Sequence, residues 1–142
     1  MDAIDKKILE LLQKNGRMTV KEITQTISLT APAVSERIKR LEKDGVIEGY
    51  TAIVNPRQMG RTVHAIINVS IQPSDTEKLL SLVSNEPMVV QCYHVTGAYS
   101  YLIKVDAYEI GDLEKLIMKF QKMGETSTQI ILSTPISRKE IL

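Results

Sequence analysis

Thr19 and Thr30 each open a helix, and only Ser28-Leu29 separates the end of the first from the cap of the second. Two helices joined by so short a turn cannot run end to end; they must cross steeply, which is the helix-turn-helix arrangement. Thr19-Val20-Lys21-Glu22 has the form of a capping box, in which Thr and Glu reciprocally satisfy free N–H groups of the first turn. Met18, one residue earlier, is placed to staple onto Ile23, and Val20, Ile23 and Ile27 share the inward face. The second start combines a Thr30 cap with Pro32 in the first turn, where a missing N–H costs little.

The helix from Thr30 to Lys43 carries one apolar stripe. Val34, Ile38 and Leu41 recur at helical spacing, so that face is buried. About 100° per residue turns Pro32, Ala33, Glu36, Lys39, Arg40 and Lys43 outward and leaves Arg37 at the stripe's edge. In a helix-turn-helix the second helix enters the major groove. Arg37, Lys39, Arg40 and Lys43 are then the candidates for neutralising phosphates, with Ser35 a weaker one. Thr30, Pro32, Ala33 and Glu36, near the helix start, are placed to meet base edges or thymine methyls. Packing of the Arg37 stem against the stripe is the competing role for that residue.

A first helix from Asp2 to Lys14 precedes this pair, with Asp2 as cap, Asp5 in the first turn and Ile4, Ile8, Leu11 and Leu12 as its stripe. After Lys43, Gly45 is a left-handed terminator, and Val46–Val54 reads as two short strand-like runs about Glu48-Gly49, a candidate wing. The 142-residue chain is 43% apolar and 25% charged, the balance of a folded water-soluble protein, and its longest apolar runs are too short to span a bilayer. The start MDAIDKK lacks a secretory layout, and a single cysteine, Cys92, allows no intrachain disulfide, so a cytoplasmic protein is expected. Net charge is +1 overall, +2 over residues 1–60 and −1 over the remainder. That excludes a nonspecific polycation.

Asn55-Pro56 opens a turn and Gly60 closes it, making residues 55–61 a linker between domains at 1–54 and 62–142. Beyond it the pattern is strand (Thr62–Ile71), helix (76–84), strand (Val89–Thr96), then strand (Tyr99–Val105), helix (110–123), strand (Ser127–Ser133). The fold class is therefore α+β: an N-terminal winged helix-turn-helix followed by a ferredoxin-like βαββαβ domain. Ser74-Asp75-Thr76-Glu77 is a second capping box, Gly124 is placed to end the last helix, and Leu113, Leu116, Ile117 and Phe120 face the sheet. Val63, Ala65, Ile67 and Val69 alternate with His64, Ile66 and Asn68, and Tyr99, Tyr101, Ile103 and Val105 oppose Leu102 and Lys104. With both helices on one face, the partly apolar opposite face calls for a second copy of the chain. A dimer also suits the recognition helix, since a two-fold pair reads two half-sites.

No catalytic constellation is present. His64 and His94 have no nucleophile in a recognisable motif, and no phosphate-cradling glycine loop or HExxH occurs, so neither an enzyme nor a cofactor is expected. Cys92 and His94 share a strand face but make an incomplete metal set. Three readings remain: a DNA-binding regulator, a DNA-architectural protein without an effector, and a small-molecule-binding allosteric module whose helical part binds protein.

The run D-x-I-D-x-x-I-L-x-L-L-x-x-N-G-R from Asp2 to Arg17, Glu22-Ile23, and V-S-E-R-I-K-R-L-E-K-D-G-V-I from Val34 to Ile47 resemble the leucine-responsive and asparagine-responsive (Lrp/AsnC) regulator family. The resemblance runs the length of the chain. It implies a transcriptional regulator of the nucleoid that binds double-stranded DNA, dimerises through its C-terminal module, assembles to tetramers or octamers, and takes a free amino acid as effector. The family's effector loop, a Gly followed three residues later by Asp, matches Thr96-Gly97-Ala98-Tyr99-Ser100, where main-chain groups would grip the amino acid. Ser100 stands at the Asp position, replacing a carboxylate by a neutral hydroxyl and removing a charge-assisted hydrogen bond to an ammonium. Thr126 and Thr128, on one side of the last strand, are candidates for the same pocket, against the plainer reading of threonine as a good strand former.

Overall fold

The computed structural model describes residues 1–142 and divides into two compact units, residues 1–53 with 136–142, and residues 54–135. In the first, α1 (Ala3–Lys14), α2 (Val20–Thr26) and α3 (Ala31–Lys43) enclose a core of Ile8, Leu9, Ile23, Ile27, Val34 and Leu41. Ile8, Ile23 and Val34 are wholly buried, each such burial contributing about 1.5–3 kcal/mol relative to an exposed side chain. Met18 and Ile38 pack at the core's edge. The Thr19 box is formed: its Oγ1 accepts the Glu22 N–H, and the Glu22 carboxylate accepts the Thr19 N–H. Asp2 and Asp5 make the same reciprocal cap on α1.

Gly45 takes the left-handed conformation (φ 71°) that ends α3. The expected wing strands are not there. Val46 and Ile47 both donate their N–H groups to the Leu41 carbonyl, which wraps the chain around the helix end, and the Tyr50 hydroxyl donates to Glu42 at 3.0 Å. Residues 48–54 then continue without a strand partner. The C-terminal tail, assigned from sequence to the second domain, belongs to the first unit, where the Ile141 N–H donates to Gln13 Oε1 at 3.0 Å. A groove of about 460 Å³ there is bordered by Leu9, Leu12, Ile47, Ile53, Ile141 and Leu142.

The second unit opens with a 3₁₀ turn, Pro56–Met59, capped by Asn55 and closed by Gly60 at φ 80°. It continues as β1 (Val63–Ile71), α4 (Thr76–Asn85), β2 (Val89–His94), β3 (Tyr101–Ala107), α5 (Ile110–Gln121) and β4 (Gly124–Ile130). The strands form one antiparallel sheet in the order β2-β3-β1-β4, which is ferredoxin-like topology. Ala65, Ile67, Val69, Tyr101, Ile103 and Val105 pack on Leu79 and Val83 of α4 and Leu113, Leu116 and Phe120 of α5. On the opposite face, His64 and Asp106 pair across the strands at 2.7 Å and Asn68 donates to Gln129 at 2.9 Å, beside Ile66 and Leu102.

Two expected helix signals serve other purposes. Ser74 makes no cap; instead a 3₁₀ turn over Pro73–Asp75 leads directly into α4. Gly124 does not end α5 but begins β4, where an added Cβ would lie 1.7 Å from the Ser70 carbonyl oxygen. No helix is long and apolar enough to cross a membrane.

Candidate nucleic-acid interface

The Thr30 hydroxyl accepts the Ala33 N–H at 3.4 Å and Pro32 lies in the first turn, so the start of α3 is held as the sequence requires. With Val34 and Leu41 turned into the core, Thr30, Pro32, Glu36, Lys39, Arg40 and Lys43 are exposed, while Ala33 and Ser35 are half-buried. Ala33 is thus less outward than its position on the helix predicts. Glu36, Lys39 and Lys43 make no ion pair within the chain, and their charge faces solvent.

Arg37 and Arg40 differ from the two lysines. Arg37 Nη1 donates to Asp2 Oδ2 and Asp5 Oδ1, both at 2.7 Å, and its side chain is only 23% exposed. Arg40 Nη2 reaches both oxygens of Asp5 at 3.0 Å, and its side chain is 52% exposed. Of the four basic residues assigned to phosphates, Arg37 is a structural cation of the α1–α3 contact and Arg40 is shared. Sequence reasoning missed the acidic half of this network. The available signal was a pair of acids three apart at the capped start of α1 matching a pair of arginines three apart on α3, legible only once the two helices are known to touch.

These pairings set the charge states. Asp2 is lowered to about 2, chiefly because its carboxylate accepts the Asp5 N–H and then the Arg37 guanidinium. For Asp5, burial pushes the carboxyl up, but the Asp2 N–H and Arg37 outweigh it and leave it below its ordinary value. The same two carboxylates raise Arg37 further. Asp2, Asp5 and Arg37 are therefore ionised near neutral pH.

In the second unit the loop from Val95 to Ser100 joins β2 to β3. The Val95 N–H donates to the Ser100 carbonyl and the Ser100 N–H to the Val69 carbonyl, so closing the turn consumes Ser100's own main-chain groups. Gly97 has φ 112°, a conformation that favours glycine, and Thr96, Gly97 and Ala98 are exposed. Thr126 pairs with Val69 and Thr128 with Ile67 on β1's other edge, so β1 separates them from β3 and the loop. His94 stacks on Tyr101 with ring centroids 4.8 Å apart, and burial pushes the Cys92 thiol up.

A helix-turn-helix unit with a cationic second helix, followed by a four-stranded ferredoxin-like domain, defines a DNA-binding transcriptional regulator of two-domain type. Residues 1–48 match a winged helix-turn-helix DNA-binding model and residues 64–141 match the Lrp/AsnC ligand binding domain. The chain belongs to the Lrp/AsnC family of transcriptional regulators. It is 32% identical to the HTH-type transcriptional regulator LrpC of Bacillus subtilis, over 94% of this chain and 92% of that protein. The leucine-responsive regulatory protein of Haemophilus influenzae is 29% identical over 93% and 84% of the respective chains. In structure, B. subtilis LrpC superposes with a TM-score of 0.91 at 31% identity, covering 97% of this chain and 99% of that one. Escherichia coli AsnC superposes with a TM-score of 0.88 at 27% identity, covering 98% and 97%. These relatives are regulators rather than enzymes.

Proposed function

We propose that the protein acts as a homodimer in the cytoplasm, on the nucleoid, placing α3 of each copy in successive major grooves of a two-fold related operator. The observation that carries this is the α3 surface: Pro32 and Glu36 lie exposed near its N-terminal end and Lys39 and Lys43 are free of intramolecular pairing. The second copy covers the sheet face bearing Ile66, Leu102 and Tyr93, which no element of the second unit covers. The turn at Thr96–Ser100 is the proposed effector position, where a free amino acid would meet the exposed main chain of Thr96, Gly97 and Ala98, while Thr126 and Thr128, across β1 from the turn, take no part in it. Ser100 offers that ligand's ammonium a hydroxyl rather than a carboxylate, which favours weak binding or a different small molecule.

The test is selection of bound fragments from a pool of genomic DNA by the purified protein, with and without a mixture of free amino acids. The expected result is a two-fold symmetric motif with half-sites about one helical turn or a multiple apart. Enrichment without any motif overturns the operator reading and favours a DNA-architectural role. An unchanged motif and unchanged affinity with amino acids removes them as effectors.

A further inference from the structure

Asp5 is 1% exposed, and its two oxygens accept the Asp2 N–H, Arg37 and Arg40. Packing of α1 on α3 does not require a carboxylate, because Ile8, Leu9, Val34 and Leu41 already form that contact. Asp5 also closes the α1 cap and stabilises the fold through it, but replacing a buried ion pair by apolar residues is often neutral or stabilising, so stability does not by itself account for holding two arginines. Its distinctive effect is on charge: it draws guanidinium groups from the helix that carries the exposed lysines towards the core. Contacts to phosphate supply affinity without sequence preference, whereas contacts to base edges supply the preference.

We propose that Asp5 is a specificity-determining residue for DNA binding: it withholds Arg37, and one edge of Arg40, from the phosphate backbone. Sequence-independent affinity then rests on Lys39, Lys43 and the outer edge of Arg40, and base contacts decide where the protein stays. Asp2 assists by taking the second contact of Arg37. The inference rests on α3 being the element that faces DNA.

Fluorescence anisotropy tests it, using the full chain with a selected operator duplex and an unrelated duplex of equal length over a range of salt. Asp5→Asn is expected to steepen the slope of log affinity against log salt by about 0.9 for each guanidinium released, and to tighten binding to the unrelated duplex more than to the operator. Arg37→Met alone leaves the slope unchanged; in the Asp5→Asn background it removes part of the gain. An unchanged slope and specificity ratio in folded Asp5→Asn overturns the proposal. So does a slope flattened by about 0.9 in Arg37→Met, and that variant decides the matter if Asp5→Asn fails to fold. Lys39→Ala reports separately on the underlying reading. A flattened slope keeps α3 on the DNA, and an unchanged one removes both that reading and the proposal.

Discussion

Asp2 and Asp5 link the fold of the first unit to pH. Both carboxyls are lowered in the folded protein, Asp2 to about 2, so their stabilisation is fully present above the unfolded value of 3.8 and is lost as pH falls through the folded value. The urea midpoint of wild type is therefore expected to exceed that of Asp2→Asn by a constant margin above pH 4, and the margin to shrink toward pH 2. A margin that does not change with pH contradicts this. Gly124 sets a different constraint, because its missing Cβ is what lets β4 lie against the Ser70 carbonyl. Gly124→Ala is expected to cost about 2–4 kcal/mol, read as a lowered melting temperature, since neither backbone segment is a flexible side chain that can swing away. At this scale the sequence was partly legible. Val34, Leu41 and the exposed lysines follow from helical spacing, whereas the allocation of Arg37 and Arg40 depends on residues some 32 to 35 positions away.

Helix ends show when a local motif determines local structure. The Thr19 box closes because nothing competes with it, and Thr19→Ala is expected to destabilise the first unit by about 1 kcal/mol in chemical denaturation. Ser74 sits in an apparently equivalent box, yet Pro73 starts a 3₁₀ turn that reaches α4 without it; Ser74→Ala is expected to change stability by less than about 0.5 kcal/mol. Equal losses in the two variants would show that the difference between the caps has no energetic meaning. Helices and buried strands were legible because amphipathic period and burial agree along one segment. The strands read over Val46–Val54 were not, since such a run becomes a strand only with a partner and none pairs with it within this chain, although the winged helix-turn-helix class itself holds. The tail was also illegible: its link to Gln13 spans 128 positions and leaves Ile141 almost wholly exposed, with no apolar pattern to announce it.

For the molecule as a whole, family membership supplies the class of activity, and the sheet face at Ile66, Leu102 and Tyr93 is where the proposed second copy docks. Sedimentation is expected to give a mass of at least twice the 15.9 kDa chain, and Leu102→Arg to shift it toward the monomer while weakening operator binding much more than binding to unrelated DNA. A wild-type monomer that binds its operator tightly contradicts the two-fold reading. Contact of α3 with DNA is read from the amide spectrum of labelled protein as a selected operator duplex is added. The largest shifts are expected from Thr30 to Lys43, concentrated at Thr30–Glu36. Saturating DNA that leaves α3 unperturbed while moving signals elsewhere would contradict it.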